Sequence, residues 1–211
     1  SFGVRHLRRP ALTFFLLQAG VGLSAGLLLA LVIGRVDDFA WLRQYFGGYD
    51  PLSVREGVDE LRSGGFPRGF LMLYFGLPAI LILPPTLLMG FSFPVLQRVV
   101  QTDFARLGRR IGLLMLANIA GSVVGTVVTG WVALDLLGTA GTLKVLTGLS
   151  AVFVLTATVL MPRGRTKWIA MAIPAALIGS VVMVLPDATA LWARLHGTTA
   201  ARMIFGEDAS G

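Results

Sequence analysis

The chain is a succession of long apolar runs separated by short polar or basic stretches. The first run, Ala11 to Ile33, follows Pro10, which suits the first turn of a helix because its missing N–H has no intrahelical partner there. A run of about 20 residues or more crosses a bilayer as a helix. This one is too long for the apolar core of a signal peptide. Gly22 and Gly26 stand four apart, share one helix face and predict the close approach of another helix. Gln18 is the side chain in mid-run that needs a partner; an interhelical hydrogen bond is the expectation, substrate contact the alternative.

From Arg35 to Arg68 the pattern turns polar. Trp41, Tyr45, Phe46 and Tyr49 alternate with charges and predict a helix lying on the bilayer surface. PLSVREGVDELRSGG then predicts a short helix with Ser53 as N-cap, Glu56 completing a capping box and Gly64-Gly65 as its stop. The alternative use of these acids, as a catalytic carboxylate pair, has no supporting residues around it.

The second run extends from Gly69 to Met89 and continues through FSFPVLQRVV. Pro78 and the Pro84-Pro85 pair predict a kink or a break, since each proline removes a donor and clashes with the preceding turn. Such breaks survive in a membrane only where protein or water satisfies the freed carbonyls, and transporters build ion sites from them. No acidic residue lies nearby to hold a cation.

The third run, Leu107 to Leu137, opens on Arg109 and Arg110. Ala117, Gly121, Gly125 and Thr129 recur every four residues, a stripe suited to tight packing. Asn118 beside it predicts a hydrogen bond to a neighbouring helix. A tight turn at Gly138–Gly141, with Asp135 and Lys144 on either side, leads to a fourth run, Leu143 to Met161. PRGRTK separates that run from a fifth, Trp168 to Leu185. ATALWARLHG then predicts a short amphipathic helix, and RMIFGEDASG reads as the start of something soluble. The expected fold is therefore all-α, a polytopic transmembrane bundle of about five spans. Residues 1–187 form the membrane domain, with an extramembrane loop at 35–68. Residues 188–211 form a juxtamembrane helix and the start of a downstream soluble domain. Ser1 in place of Met fits an excerpt of a longer protein.

Composition sharpens this reading. Of 211 residues, 55% are hydrophobic and only 14% charged, against about 25% charged in soluble domains; the mean hydropathy is +0.77. The net charge of +7 does not point to nucleic acid. Its basic residues cluster at the ends of apolar runs, as Arg5, Arg8 and Arg9, then Arg106, Arg109 and Arg110, then Arg163, Arg165 and Lys167. These are the positions of cytoplasmic anchors. The Arg35–Arg68 loop and the Gly138–Gly141 turn are then outside, and five spans carry the C-terminus outside as well. The lack of cysteine excludes disulfides and thiol chemistry, and His6 and His196 are too far apart in sequence to suggest a metal site. Nucleotide-binding loops, HExxH and nucleophile elbows are absent. The span interiors carry essentially none of the ionisable residues that mark pumps and proton-coupled carriers. No catalytic, cofactor or metal residue is expected in this stretch. Its partners are the lipid bilayer and the downstream domain, with a second copy of the chain as a further candidate.

PPTLLMGFSFPVL followed by LGRRIGLLMLANIAGSVVGTVVTGWVALDLLGTAGT resembles the membrane domain fused to bacterial spermidine-synthase-like proteins. That family shows a Pro-x-Thr-Leu-Met-Gly-x-x-Phe-Pro segment, then Gly-Arg-Arg-x-Gly, an Asn-x-x-Gly-x-x-x-Gly helix and a Leu-Leu-Gly turn. The match covers Pro84 to Thr142; elsewhere only the hydropathy agrees. The resemblance implies an aminopropyltransferase-like domain of polyamine biosynthesis after Gly211, with its glycine-rich loop and catalytic aspartates beyond this chain, and location in the bacterial inner membrane. It also implies that the bundle serves as the anchor, the alternative being part of a carrier for a small solute or polyamine. A second resemblance, to major-facilitator transporters, rests on TDFARLGRR, but Asp103 sits five residues before Gly108 where that family's loop motif has three.

Overall fold

In hydrocarbon every backbone donor and acceptor must be satisfied within the chain, and the described residues accordingly form helices and no strand. The structure, a computed structural model, describes residues 9–39, 41–42, 45–46, 54–100, 107–161 and 164–199. Helix α1 spans Pro10–Gly34, with the proline at its first turn. A 3-10 turn, Val36–Asp38, follows it. Helix α2 spans Val54–Arg62 and stops in a Schellman motif, with Gly64 N–H bonded to Leu61 O (3.1 Å) and Gly65 N–H to Glu60 O (2.9 Å). Gly64 takes φ 83°, a conformation that favours glycine. The expected Ser53 cap and the Glu56 side chain lie outside the described residues.

Helix α3 runs unbroken from Arg68 to Val100, with a π-helical stretch over Met72–Gly76. The break expected at Pro84-Pro85 is not formed, and Leu77–Val100 is continuous α-helix across Pro84, Pro85 and Pro94. Each proline removes one rung, while the rungs above and below continue to hold the turn. Thr86 Oγ1 donates to the Ile82 (2.8 Å) and Leu83 (2.9 Å) carbonyls beside the pair. The π stretch lies where Pro78 withdraws its N–H, and a wider turn relieves a ring's clash with the carbonyl before it.

Four helical runs are long and apolar enough to cross a membrane, and the longest of them, Gly108–Val159, holds both the third and the fourth expected spans, which meet at Gly138. Helix α4 (Leu107–Val127) passes through a π stretch, Val128–Ala133, into α5 (Leu134–Val159). The Gly108–Val159 stretch has 52 residues, at about 1.5 Å each some 78 Å, more than twice the hydrocarbon thickness. It changes direction at Gly138, where φ is 63° and ψ is −177°. The turn expected over Gly138–Gly141 thus contracts to one residue. The rotation also removes the usual acceptor of Thr142, since a helical hydroxyl bonds the carbonyl four residues back. Its Oγ1 is buried and unpartnered, whereas Ser122, Thr126, Thr156 and Ser180 all make that bond. Helix α6 covers Arg165–Val184. Helix α7, Ala188–His196, is capped by Asp187, which accepts from Ala190 N–H at 2.8 Å.

The core gathers around α1, which packs on both α3 and α5. Ala19, Val154 and Ile178 join α1, α5 and α6 in mid-bundle. Ile33, Ala140 and Leu191 join α1, α5 and α7 at one end. Val36, Leu42 and Leu73 pack the segment after α1 against the start of α3. Helix α4 contributes no buried residue among its described side chains. In a membrane chain its apolar surface meets lipid.

Candidate functional site

The sequence singled out two glycine pairs for helix contact, and only one makes it within the chain. A Cβ on Gly26 would stand 2.5 Å from Thr147 Oγ1 and 2.6 Å from its Cγ2, and a Cβ on Gly22 would overlap Ser150 Oγ. Glycine is required at both because the Thr147 and Ser150 side chains of α5 occupy the space that a Cβ on α1 would need. Gly121 and Gly125 have nothing within 4 Å of a built Cβ. The close contact expected of them is not made within the described residues, where α4 packs on the bundle only sparsely. Asn118, on the same helix, is exposed as well. The hydroxyls below it turn inward onto their own helix, Ser122 to Asn118 O and Thr126 to Ser122 O, each at 2.9 Å.

Gln18 meets the expectation for a mid-membrane amide. Its Nε2 donates to Ser92 Oγ on α3 at 3.1 Å, and Ser92 Oγ donates in turn to Met89 O at 2.7 Å. The pairing is antiparallel, as is that of α1 with α5. The start of α1, the end of α3 and the end of α5 therefore share one face of the membrane, and α6 begins there too. Arg9, Arg98, Arg109, Arg110 and Lys167 lie at this end, and no carboxylate does among the described residues. Nη1 of Arg98 is buried with no hydrogen-bond partner. Of the other expected anchors, Arg163 and the Arg165 side chain lie outside the described residues. The opposite end holds Asp37, Asp38, Asp59, Glu60, Asp135 and Asp187. Arg35 pairs there with Asp38 at 3.2 Å, both ends well exposed.

At that carboxylate-bearing end α1, α3, α5 and α7 enclose a cavity of about 180 Å³ walled by residues such as Ile33, Phe46, Leu81, Leu143 and Trp192. No polar surface faces into it. Its lining suits hydrocarbon and offers nothing to hold a charged solute. Among the described residues, those buried whole with polar side chains are Ser92, Thr142, Thr147, Ser150 and Thr158, each a hydroxyl. Among the described residues no three His, Cys, Asp or Glu side chains gather as metal ligands would.

The sequence reading missed the partners Thr147 and Ser150. The available signal was the small-residue face of the fourth span, Ala140, Thr147, Ser150 and Ala157, all buried. In comparisons with known proteins the chain matches no family model, no curated protein and no solved structure.

Proposed function

We propose that this bundle is a membrane-anchoring domain that holds a spermidine-synthase-like soluble domain at the bacterial inner membrane and performs no chemistry itself. The identity of the attached domain rests on the resemblance over Pro84–Thr142. The anchoring role is supported by one observation: among the described residues no carboxylate is buried, and the residues buried whole that carry polar side chains are all serine or threonine. A polyamine carries several positive charges, and moving one through hydrocarbon requires carboxylates or an aromatic cage. The feature that had favoured a carrier, a broken helix at Pro84-Pro85, is not formed.

Two measurements test the proposal. A soluble reporter fused after Gly211 stays in the membrane pellet through alkaline carbonate washing, and its release would refute anchoring. Proteoliposomes of the purified chain show no saturable uptake of labelled polyamine. Saturable uptake lost on Asn118→Ala would establish the carrier reading instead.

A further inference from the structure

Helix α2 (Val54–Arg62) has a charged side and an apolar side. Arg55 and Asp59 stand two residues either side of Gly57, so on a helix both point away from it. Both are exposed, and Asp59 lies 3.8 Å from Arg62. Gly57 itself is buried against the first turn of α3, where a Cβ built on it would stand 3.1 Å from Cγ of Phe70. The helix therefore rests its backbone on the Phe70 ring, and that contact fixes which side is turned to α3. Leu61, four residues on from Gly57, shares that side and yet is 56% exposed. Val58, three residues before Leu61, is exposed as well.

Depth decides what covers these side chains. The run Arg68–Val100 has 33 residues, at about 1.5 Å each some 50 Å, against about 30 Å of hydrocarbon and about 40–45 Å of bilayer with its headgroups. Arg68 opens the run and Arg98 stands two residues from its end, so both termini lie in headgroup layers. The first turn of α3 is then at headgroup depth, and so is the helix resting on it. Below that turn the surface continues into the span. The Phe70 ring lies 4.8 Å from that of Tyr74 and 6.4 Å from that of Phe75, and Phe75, 64% exposed, meets lipid in a spanning helix. The apolar side of α2 is thus continuous with lipid-facing surface. Its charges give anionic lipid no advantage, since Arg55 and Arg62 stand against Glu56, Asp59 and Glu60; burial of apolar side chains is the drive. We infer that α2 lies in the plane of the membrane at the carboxylate-bearing end, with Val58 and Leu61 inserted among zwitterionic lipids and Arg55 and Asp59 in water. There it acts as a float that holds the first turn of α3 at headgroup depth. The inference stands on the bundle spanning a membrane and not on what is attached to it.

The chain has no cysteine, so single thiols introduced into the full chain carry a spin label at chosen positions. In phosphatidylcholine vesicles, labels on Val58→Cys and Leu61→Cys meet oxygen but not a water-soluble nickel chelate, at about 5–10 Å into the headgroup and acyl boundary. Labels on Arg55→Cys and Asp59→Cys meet the chelate. Adding phosphatidylglycerol or raising the salt leaves this pattern unchanged. A label on Phe75→Cys, within the span, reads as lipid in the same vesicles, so failure of α2 to insert is distinguished from failure of the bundle to span. Leu61→Glu puts a carboxylate on the inserted side and opens a label on Val58→Cys to the chelate. Chelate contact at positions 58 and 61 equal to that at 55 and 59 would overturn the assignment. So would shielding of 58 and 61 from both reagents, which marks a covering protein surface such as a second copy. Insertion that needs anionic lipid, or is lost in high salt, would overturn it too, and an aqueous Phe75→Cys label would overturn it together with the spanning premise.

Discussion

The contact between α1 and α5 gives the most direct energetic prediction. Replacing Gly26 with alanine adds one methyl group 2.5 Å from Thr147 Oγ1, 2.6 Å from Cγ2 and 3.2 Å from Cβ. Carbon atoms rest comfortably at about 3.5–4.0 Å, so the helices must part by roughly 1 Å or Thr147 must leave its rotamer. Overpacking of this kind costs about 1–3 kcal/mol. Alanine's helical advantage over glycine offsets up to about 1 kcal/mol of it, leaving a net loss near 1–2 kcal/mol. Gly121→Ala meets nothing within 4 Å and collects only the helical advantage, so it is neutral or stabilising by up to about 1 kcal/mol. Reversible unfolding of the purified chain in mixed micelles, followed by circular dichroism, separates the two variants. Thr147→Ala supplies the internal control, because it removes Oγ1 and Cγ2 and should restore most of the stability lost in Gly26→Ala, a coupling visible in a double-mutant cycle. The reasoning fails if Gly121→Ala destabilises as much as Gly26→Ala, or if the cycle shows no coupling.

Three further outcomes follow from the local geometry. Gly138→Ala forces a side chain into φ 63° and should cost about 1–3 kcal/mol in the same unfolding assay, unlike Gly148→Ala on the same helix, which meets nothing within 4 Å. Asp187→Ala removes the cap on Ala190 N–H and should destabilise α7 by about 0.5–2 kcal/mol, seen as faster amide exchange confined to residues 188–196. In the proposed inner-membrane setting, a periplasm-dependent reporter fused after Asp187 should be active and a cytoplasm-dependent one silent, because the positive-inside rule puts the cation-bearing end in the cytoplasm; the reverse pattern would invert the topology.

Much of the bundle was legible because hydropathy is a local property. Ala11–Ile33 became Pro10–Gly34, Trp168–Leu185 became Arg165–Val184, and the Ala188–Gly197 helix appeared as expected. Gly22 and Gly26 could be read as a contact because four-residue spacing fixes a face, and Gln18 because an amide in hydrocarbon needs a partner. What spacing does not encode is whether a neighbour is there. Gly121 and Gly125 carry the same signature as Gly22 and Gly26, yet α4 lies apart from the bundle. The proline pair misled for a related reason. Pro84 and Pro85 weaken local rungs, but whether a helix breaks depends on whether a broken form would find partners for more groups than the two it frees.

The segregation of charge between the two ends has an electrical consequence. A cell that keeps its interior negative imposes a field across this protein, and each elementary charge carried through 100 mV changes energy by about 2.3 kcal/mol. With Arg9, Arg98, Arg109, Arg110 and Lys167 at one end, while at the other Asp37, Asp38, Asp59, Glu60, Asp135 and Asp187 are offset by Arg35, Arg55, Arg62, Arg68, Lys144 and Arg194, inverting the molecule would move the cations of the first end against the voltage with no matching gain from the second. The membrane potential therefore acts on the folded bundle as on an oriented dipole, holding it in the sense that the basic ends selected during insertion. Collapsing the voltage with an ionophore during synthesis removes this bias while leaving the hydrophobic drive to insert untouched, so misoriented copies become the measure of how much of the orientation is electrical.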